Sequence, residues 1–210
     1  MIELKSKGWA VFGLRGSGKS WFVKHVLDSS PDHLIYDPLK EHRGYNKYTP
    51  TDRRSIKELS DLIENVVAGD APGIKVTESN KRQYPTRRVG EVWKPDLFVI
   101  DEANRYIYPH PREIPKSVMD IVDYGRHWNL SFGVVARRPV QFHTTLIELA
   151  DVVFFFHLPG ENDYQKLEGM HPGLGDAVRS LPAHHFASLS YGTEVTIHAP
   201  IEPPRHPNET

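Results

Sequence analysis

The chain has 210 residues, of which 39% are hydrophobic and 25% charged, and a formal net charge of −1. That balance suits one domain with a sizeable core and argues against a globally basic nucleic-acid binder, although a ring can confine positive charge to the loops that line its lumen. There is no cysteine, which excludes disulfides and thiolate metal sites, and no apolar run near the ~20 residues needed to cross a bilayer. Met1 to Lys7 does not lead into a signal-type apolar region, so an intracellular protein is expected.

In chain order, Gly8 to Phe12 is a short apolar run suited to a buried strand. It enters the octapeptide Gly13-Leu14-Arg15-Gly16-Ser17-Gly18-Lys19-Ser20, which matches G-x-x-x-x-G-K-[ST] at every fixed position. The three glycines permit a backbone path that a Cβ would obstruct, so that successive N–H groups can cradle a phosphate at a helix N-terminus. Lys19 is expected to reach the β- and γ-phosphates, and the Ser20 hydroxyl to ligate Mg²⁺. Trp21 to Leu27 continue as an apolar-rich helix, which completes the strand–loop–helix context. A nucleotide is therefore expected on residues 13–20, with Trp21 adjoining.

His33 to Tyr36 reads as a second strand, ending in Asp37-Pro38. Residues 55–68 place Ile56, Leu59, Leu62, Ile63, Val66 and Val67 at helical spacing, and Gly69 stops the pattern. Residues 70–95 lack periodicity and contain Pro72, Pro85 and Pro95; they predict a long loop or a small hairpin. Leu97 to Ile100 is a near-continuous apolar run, as a central parallel strand requires, and it ends in Asp101-Glu102. A helix is predicted over 115–128, a strand over 130–136, a short helix over 144–150 and a strand over 152–156. A polar helix around 163–168, a short one around 174–181 and two terminal strands near 185–190 and 194–198 follow. Residues 203–210 predict an unstructured tail. The alternation of strands and helices gives an α/β domain over residues 1–202, with a mainly parallel sheet, helices on both faces and a small C-terminal strand pair.

The chemistry needs a second half. Mg²⁺ needs a carboxylate, and Asp101 sits at the carboxyl end of a buried strand, where ligands bind in open α/β sheets. Glu102 is the candidate base for an attacking water. Arg126, Arg137 and Arg138 are candidates for stabilising charge on the γ-phosphoryl; each could equally be a helix-terminal cation or a surface charge. The twelve histidines show no ligand spacing, and His110, His184 and His185 read as surface or loop residues.

With those residues in hand, the chain resembles the FtsK–HerA superfamily of ring-forming DNA pumps, and more narrowly the genome-packaging ATPases of membrane-containing icosahedral viruses. Beyond the phosphate loop, Ile35-Tyr36-Asp37-Pro38-Leu39-Lys40-Glu41 is similar to the family's second strand with its Asp-Pro and following acid. Ile100-Asp101-Glu102-Ala103-Asn104 is similar to its Walker B segment. Gly125-Arg126-His127-Trp128-Asn129-Leu130 matches the stretch before the sensor strand; Ala150-Asp151-Val152-Val153 and Leu181-Pro182 fit the later pattern.

The resemblance implies a RecA-like P-loop NTPase core and an ATPase using ATP and Mg²⁺. It also implies a pentameric or hexameric homo-oligomer ring, acting on double-stranded DNA, with Arg126 inserted into a neighbour's site. A capsid vertex or virion membrane protein is the implied docking partner. The implied location is the host cytoplasm, or the virion at its packaging vertex. One position departs from the family: Arg137 stands where the polar sensor is usually Gln, and Arg cannot accept a hydrogen bond. Lys81, Arg82, Arg87 and Arg88 form a basic loop that would suit DNA phosphates or be simply solvated. Pumps of conjugation or segregation, a small P-loop kinase and a non-hydrolytic ATP-binding assembly protein remain as alternatives.

Overall fold

A computed structural model describes residues 4–68 and 94–202. The elements are β1 Gly8–Phe12, α1 Lys19–Asp28, β2 His33–Tyr36, β3 Lys47–Tyr48, α2 Ile56–Ala68, β4 Leu97–Ile100, α3 Lys116–Tyr124, β5 Ser131–Ala136, α4 Thr144–Glu148, β6 Val152–Phe155, α5 Glu161–Met170, α6 Leu174–Arg179, β7 Phe186–Ser190 and β8 Glu194–His198. The strands form one sheet in the order β3-β2-β4-β5-β1-β6-β7-β8. Pairing is parallel from β3 through β6 and antiparallel for β6–β7 and β7–β8. The C-terminal strand pair therefore extends the main sheet.

The apolar runs form the middle of the sheet because both of its faces are covered. Strand alternation sends Ala10 and Phe12 of β1 into one core and Trp9 and Val11 into the other. Phe98 and Ile100 of β4 join the first core; Leu97 and Val99 join the second. Helices α2 to α6 pack on the first face, whereas the second holds α1 through Phe22, Val23, Val26 and Leu27. Each fully buried Phe, Leu, Ile or Val contributes about 1.5–3 kcal/mol through lost apolar hydration.

Both ends of β1 are fastened to the β6 segment. At its start the Gly8 amide donates to Asp151 Oδ2 at 2.7 Å, and the Asp151 amide donates to Gly8 O at 2.8 Å. At its end the Phe156 amide donates to Phe12 O at 2.8 Å and the Leu14 amide to His157 O at 3.0 Å. This pairing carries the chain straight from β1 into residues 13–18.

Several sequence expectations need adjustment. The helix expected over 115–128 ends at Tyr124, and Gly125–Trp128 tighten into a 3-10 turn. Asn129 then turns left-handed at φ 54°, and the Leu130 amide closes back on Gly125 O at 2.9 Å. The helix after β5 stops at Glu148, two residues early. The two-residue β3, which pairs Lys47 with Ile35 and Tyr48 with Tyr36, was not anticipated. The expected tail and nearly all of the 70–95 excursion, including Lys81, Arg82, Arg87 and Arg88, lie outside the described residues.

Candidate functional site

The phosphate loop leaves the carboxyl end of β1. Gly16 and Gly18 take φ of 81° and 106°, the left-handed region that suits glycine. A Cβ on Gly13 would lie 2.6 Å from Phe156 Cβ and 2.7 Å from Ser17 Oγ. The Ser17 hydroxyl is buried without a hydrogen-bond partner, and α1 starts without a side-chain cap. Its first N–H groups therefore lack intrahelical acceptors and point their partial positive charge at the loop. These features fit a polyphosphate. Trp21, in the first turn of α1, is partly exposed and carries Lys24 Nζ 4.9 Å over its ring.

Asp101 and Glu102 follow β4, two strands away from β1 with β5 between them. The in-register pairs Phe12–Ala136 and Ile100–Val134 bring all three strand ends to one edge. Lys19 feels the field of that edge. Burial pushes its ammonium below the ordinary value, against the pull of Asp101, Glu102 and Glu41. Arg137 depresses it further. The lysine on one strand–helix turn and the acid pair on another thus converge.

Asp101 is buried and held at both oxygens. His42 Nε2 lies 2.9 Å from Oδ2, and the Glu102 amide donates to Oδ1 at 2.8 Å. Burial alone raises its pKa, but the His42 hydrogen bond and attraction, the Glu102 amide and Lys19 together lower it below the usual aspartate value. His42 is itself set by Asp37, whose carboxylate accepts the Glu41 and His42 amides at 3.0 and 2.9 Å.

Asp37, His42 and Asp101 bring ligand atoms within 4.8 Å of one another. Yet the Asp37 oxygens already accept two backbone amides, and Lys47 Nζ lies 3.4 Å away. The group is therefore a brace for Asp101. The sequence reading missed His42, because only the fold brings it to Asp101 across 59 positions. The one local signal was its place just after the Asp-Pro segment.

Ser20 is exposed at the start of α1, and the nearby Asp101 supplies a carboxylate; together they suit Mg²⁺ through a hydroxyl and a hard oxygen ligand. Glu102 adopts φ 50°, an uncommon conformation for a residue with a Cβ, and this kind of strain gathers at working sites. Its Oε1 accepts from Arg137 Nε at 3.2 Å and Nη2 at 3.1 Å, and Oε2 lies 3.6 Å from Arg105 Nε.

The arginines separate. Arg137 is at the phosphate edge. Arg138 turns away and binds the fully buried Asp163 with Nε and Nη2, both at 2.9 Å, which ties the β5 exit to α5. It is thereby removed as a γ-phosphate candidate. Arg126 lies at the opposite edge of the sheet, paired with Asp151 beside the start of β1. It remains exposed and cannot reach the phosphate loop of its own chain. His110 and His184 are exposed and His185 is partly so, as expected.

The phosphate-loop sequence at the end of β1 and the mainly parallel strand order together define an α/β P-loop fold. Among solved structures, B204, the DNA-packaging ATPase of Sulfolobus turreted icosahedral virus, superposes with a TM-score of 0.71 at 15% identity, covering 95% of this chain and 100% of that one. The genome-packaging NTPase B204 of Sulfolobus turreted icosahedral virus 2, in complex with ATP-γS, gives 0.66 at 15% identity over 94% and 98%. The N-terminal domain of zonular occludens toxin from Neisseria meningitidis gives 0.54 at 12% over 94% and 96%. At these identities the likeness is one of fold. No protein-family model and no curated protein matches the sequence. Among the described residues, no helix is long and apolar enough to cross a membrane.

Proposed function

We propose that this chain hydrolyses ATP as a subunit of a homo-oligomeric ring and uses the energy to drive double-stranded DNA, in the first instance a viral genome entering a preformed capsid. One observation carries the hydrolytic part: β1, which leads into the loop with Lys19, and β4, which leads into Asp101 and Glu102, end in register on either side of β5 at one edge of the sheet. The DNA part is supported by likeness along nearly the whole chain to a packaging ATPase.

In this scheme the amides of residues 13–20 hold the phosphates, and Lys19 neutralises the β- and γ-oxygens. Ser20 and Asp101 would hold Mg²⁺, which supplies charge neutralisation on the transferring phosphoryl group. The His42 contact keeps Asp101 ionised and fixed. Glu102 orients a water and accepts its proton as the water attacks the γ-phosphorus. An exposed arginine from a neighbouring chain, Arg126, adds positive charge at the transition state. The 70–95 segment with Lys81, Arg82, Arg87 and Arg88 is the proposed DNA contact, made to phosphates and therefore weakened by salt.

Phosphate release, measured with and without duplex DNA, tests the scheme. The unaltered chain is expected to hydrolyse ATP faster with DNA. Lys19→Ala should lose nucleotide binding, and Glu102→Gln should bind ATP but turn over at least about 100-fold more slowly. Parental turnover by Glu102→Gln would remove Glu102 as the base. ATP binding with no turnover under any condition would favour the assembly-protein alternative.

A further inference from the structure

Arg137 is the residue by which this chain departs from the resembling family, and its geometry assigns it a task. It follows β5, the strand between the acid pair and the phosphate loop, and its neighbour Ala136 pairs with Phe12, the residue before Gly13. Its guanidinium is half exposed, while the Glu102 side chain it grips is only 11% exposed. Both Nε and Nη2 converge on Glu102 Oε1. On the far side, Arg105 Nε faces Oε2 and is buried without a hydrogen-bond partner. The carboxylate therefore stands between two cations, and the oxygen facing Arg137 already accepts two donors. Oε1, gripped by both donors, has no lone pair left to hold a water in line.

We propose that Arg137 is a latch on Glu102, which a γ-phosphate opens by competing for the guanidinium. This deepens the ATPase assignment and rests on it. A terminal phosphate presents more negative charge than one carboxylate, and a planar guanidinium binds either in the same forked manner. A diphosphate ends short of that position and leaves the pair closed. Glu102 is freed only when a bond worth breaking is present. Glutamine at position 137 could hold neither partner as an ion.

The test is a double-mutant cycle on binding, which does not depend on turnover. Dissociation constants for ATP-γS and ADP are measured by calorimetry for the unaltered chain, Glu102→Gln, Arg137→Gln and the double variant. Opening the latch by Glu102→Gln is expected to tighten ATP-γS about fivefold, the scale of one ion pair, and to leave ADP unchanged. In the Arg137→Gln background the same change should shift ATP-γS by less than about twofold. Arg137→Lys, which keeps charge but not the fork, should give an intermediate value. Equal tightening in both backgrounds would mean simple relief of repulsion between Glu102 and phosphate, and would overturn the latch alone. So would no tightening in either. If the unaltered chain binds neither nucleotide, the ATPase assignment falls and the latch with it.

Discussion

A β-carbon on Gly133 would sit 2.1 Å from the Trp9 ring, which lies across this glycine from the neighbouring strand. The tryptophan is fully buried, so it has nowhere to retreat. Gly133→Ala is therefore expected to cost about 2–3 kcal/mol in denaturant unfolding, as overpacking does. In a Trp9→Leu background the same change should cost under about 1 kcal/mol, because the ring is gone. Additive costs would show that the ring does not set this position. From sequence alone Gly133 reads only as a weak point in a strand, since its reason lies on another strand. The phosphate loop differs: its eight residues are contiguous, so it stands out as a candidate site without the fold. Glu102 was legible as a candidate base from its place after β4. Its grip by Arg137, and that of Asp101 by His42, were not, because both depend on strand register and loop path.

At the scale of elements, His33 shows how a short strand is held. It begins β2 fully buried, with Nδ1 2.6 Å from Ser30 O and Nε2 accepting the Asn46 amide at 3.1 Å. The neutral ring donates at one nitrogen and accepts at the other, and burial lowers its pKa below 6.5. A proton on Nε2 would meet an N–H donor. The unfolded chain therefore takes up a proton at a higher pH than the folded one. Stability from this group is complete above pH 6.5 and falls with pH until the lower folded value is reached, by at most about 1.4 kcal/mol per unit. His33→Gln, which cannot titrate, should flatten that part of the pH profile of unfolding; an unchanged slope would exclude His33 as its source. The longer elements were legible because apolar spacing reports a covered face. The two-residue β3 has too few residues to carry a period. The 3-10 turn at Gly125–Trp128 was read as helix because side-chain spacing hardly distinguishes one tightened turn from the α-helix before it.

Across the whole molecule, the two edges of the sheet divide the work. The phosphate loop and acid pair stand where the parallel strands end, and Arg126 stands where they begin. If Arg126 serves catalysis, it serves another chain. Arg126→Ala and Lys19→Ala should each be inactive alone, and equal mixing should restore turnover at about a quarter of neighbouring pairs, provided subunits exchange. No recovery after verified exchange would confine Arg126 to its bond with Asp151. That bond has a mechanical side. Asp151 grips Gly8 through its amide and its carboxylate while holding the Arg126 guanidinium. Gly8 is the foot of a five-residue rod, roughly 16 Å long, whose other tip is the cradle. In the proposed ring, a neighbour that drew Arg126 away would take one partner from the carboxylate that anchors this strand, and so would touch the foot of the rod that carries this chain's own cradle.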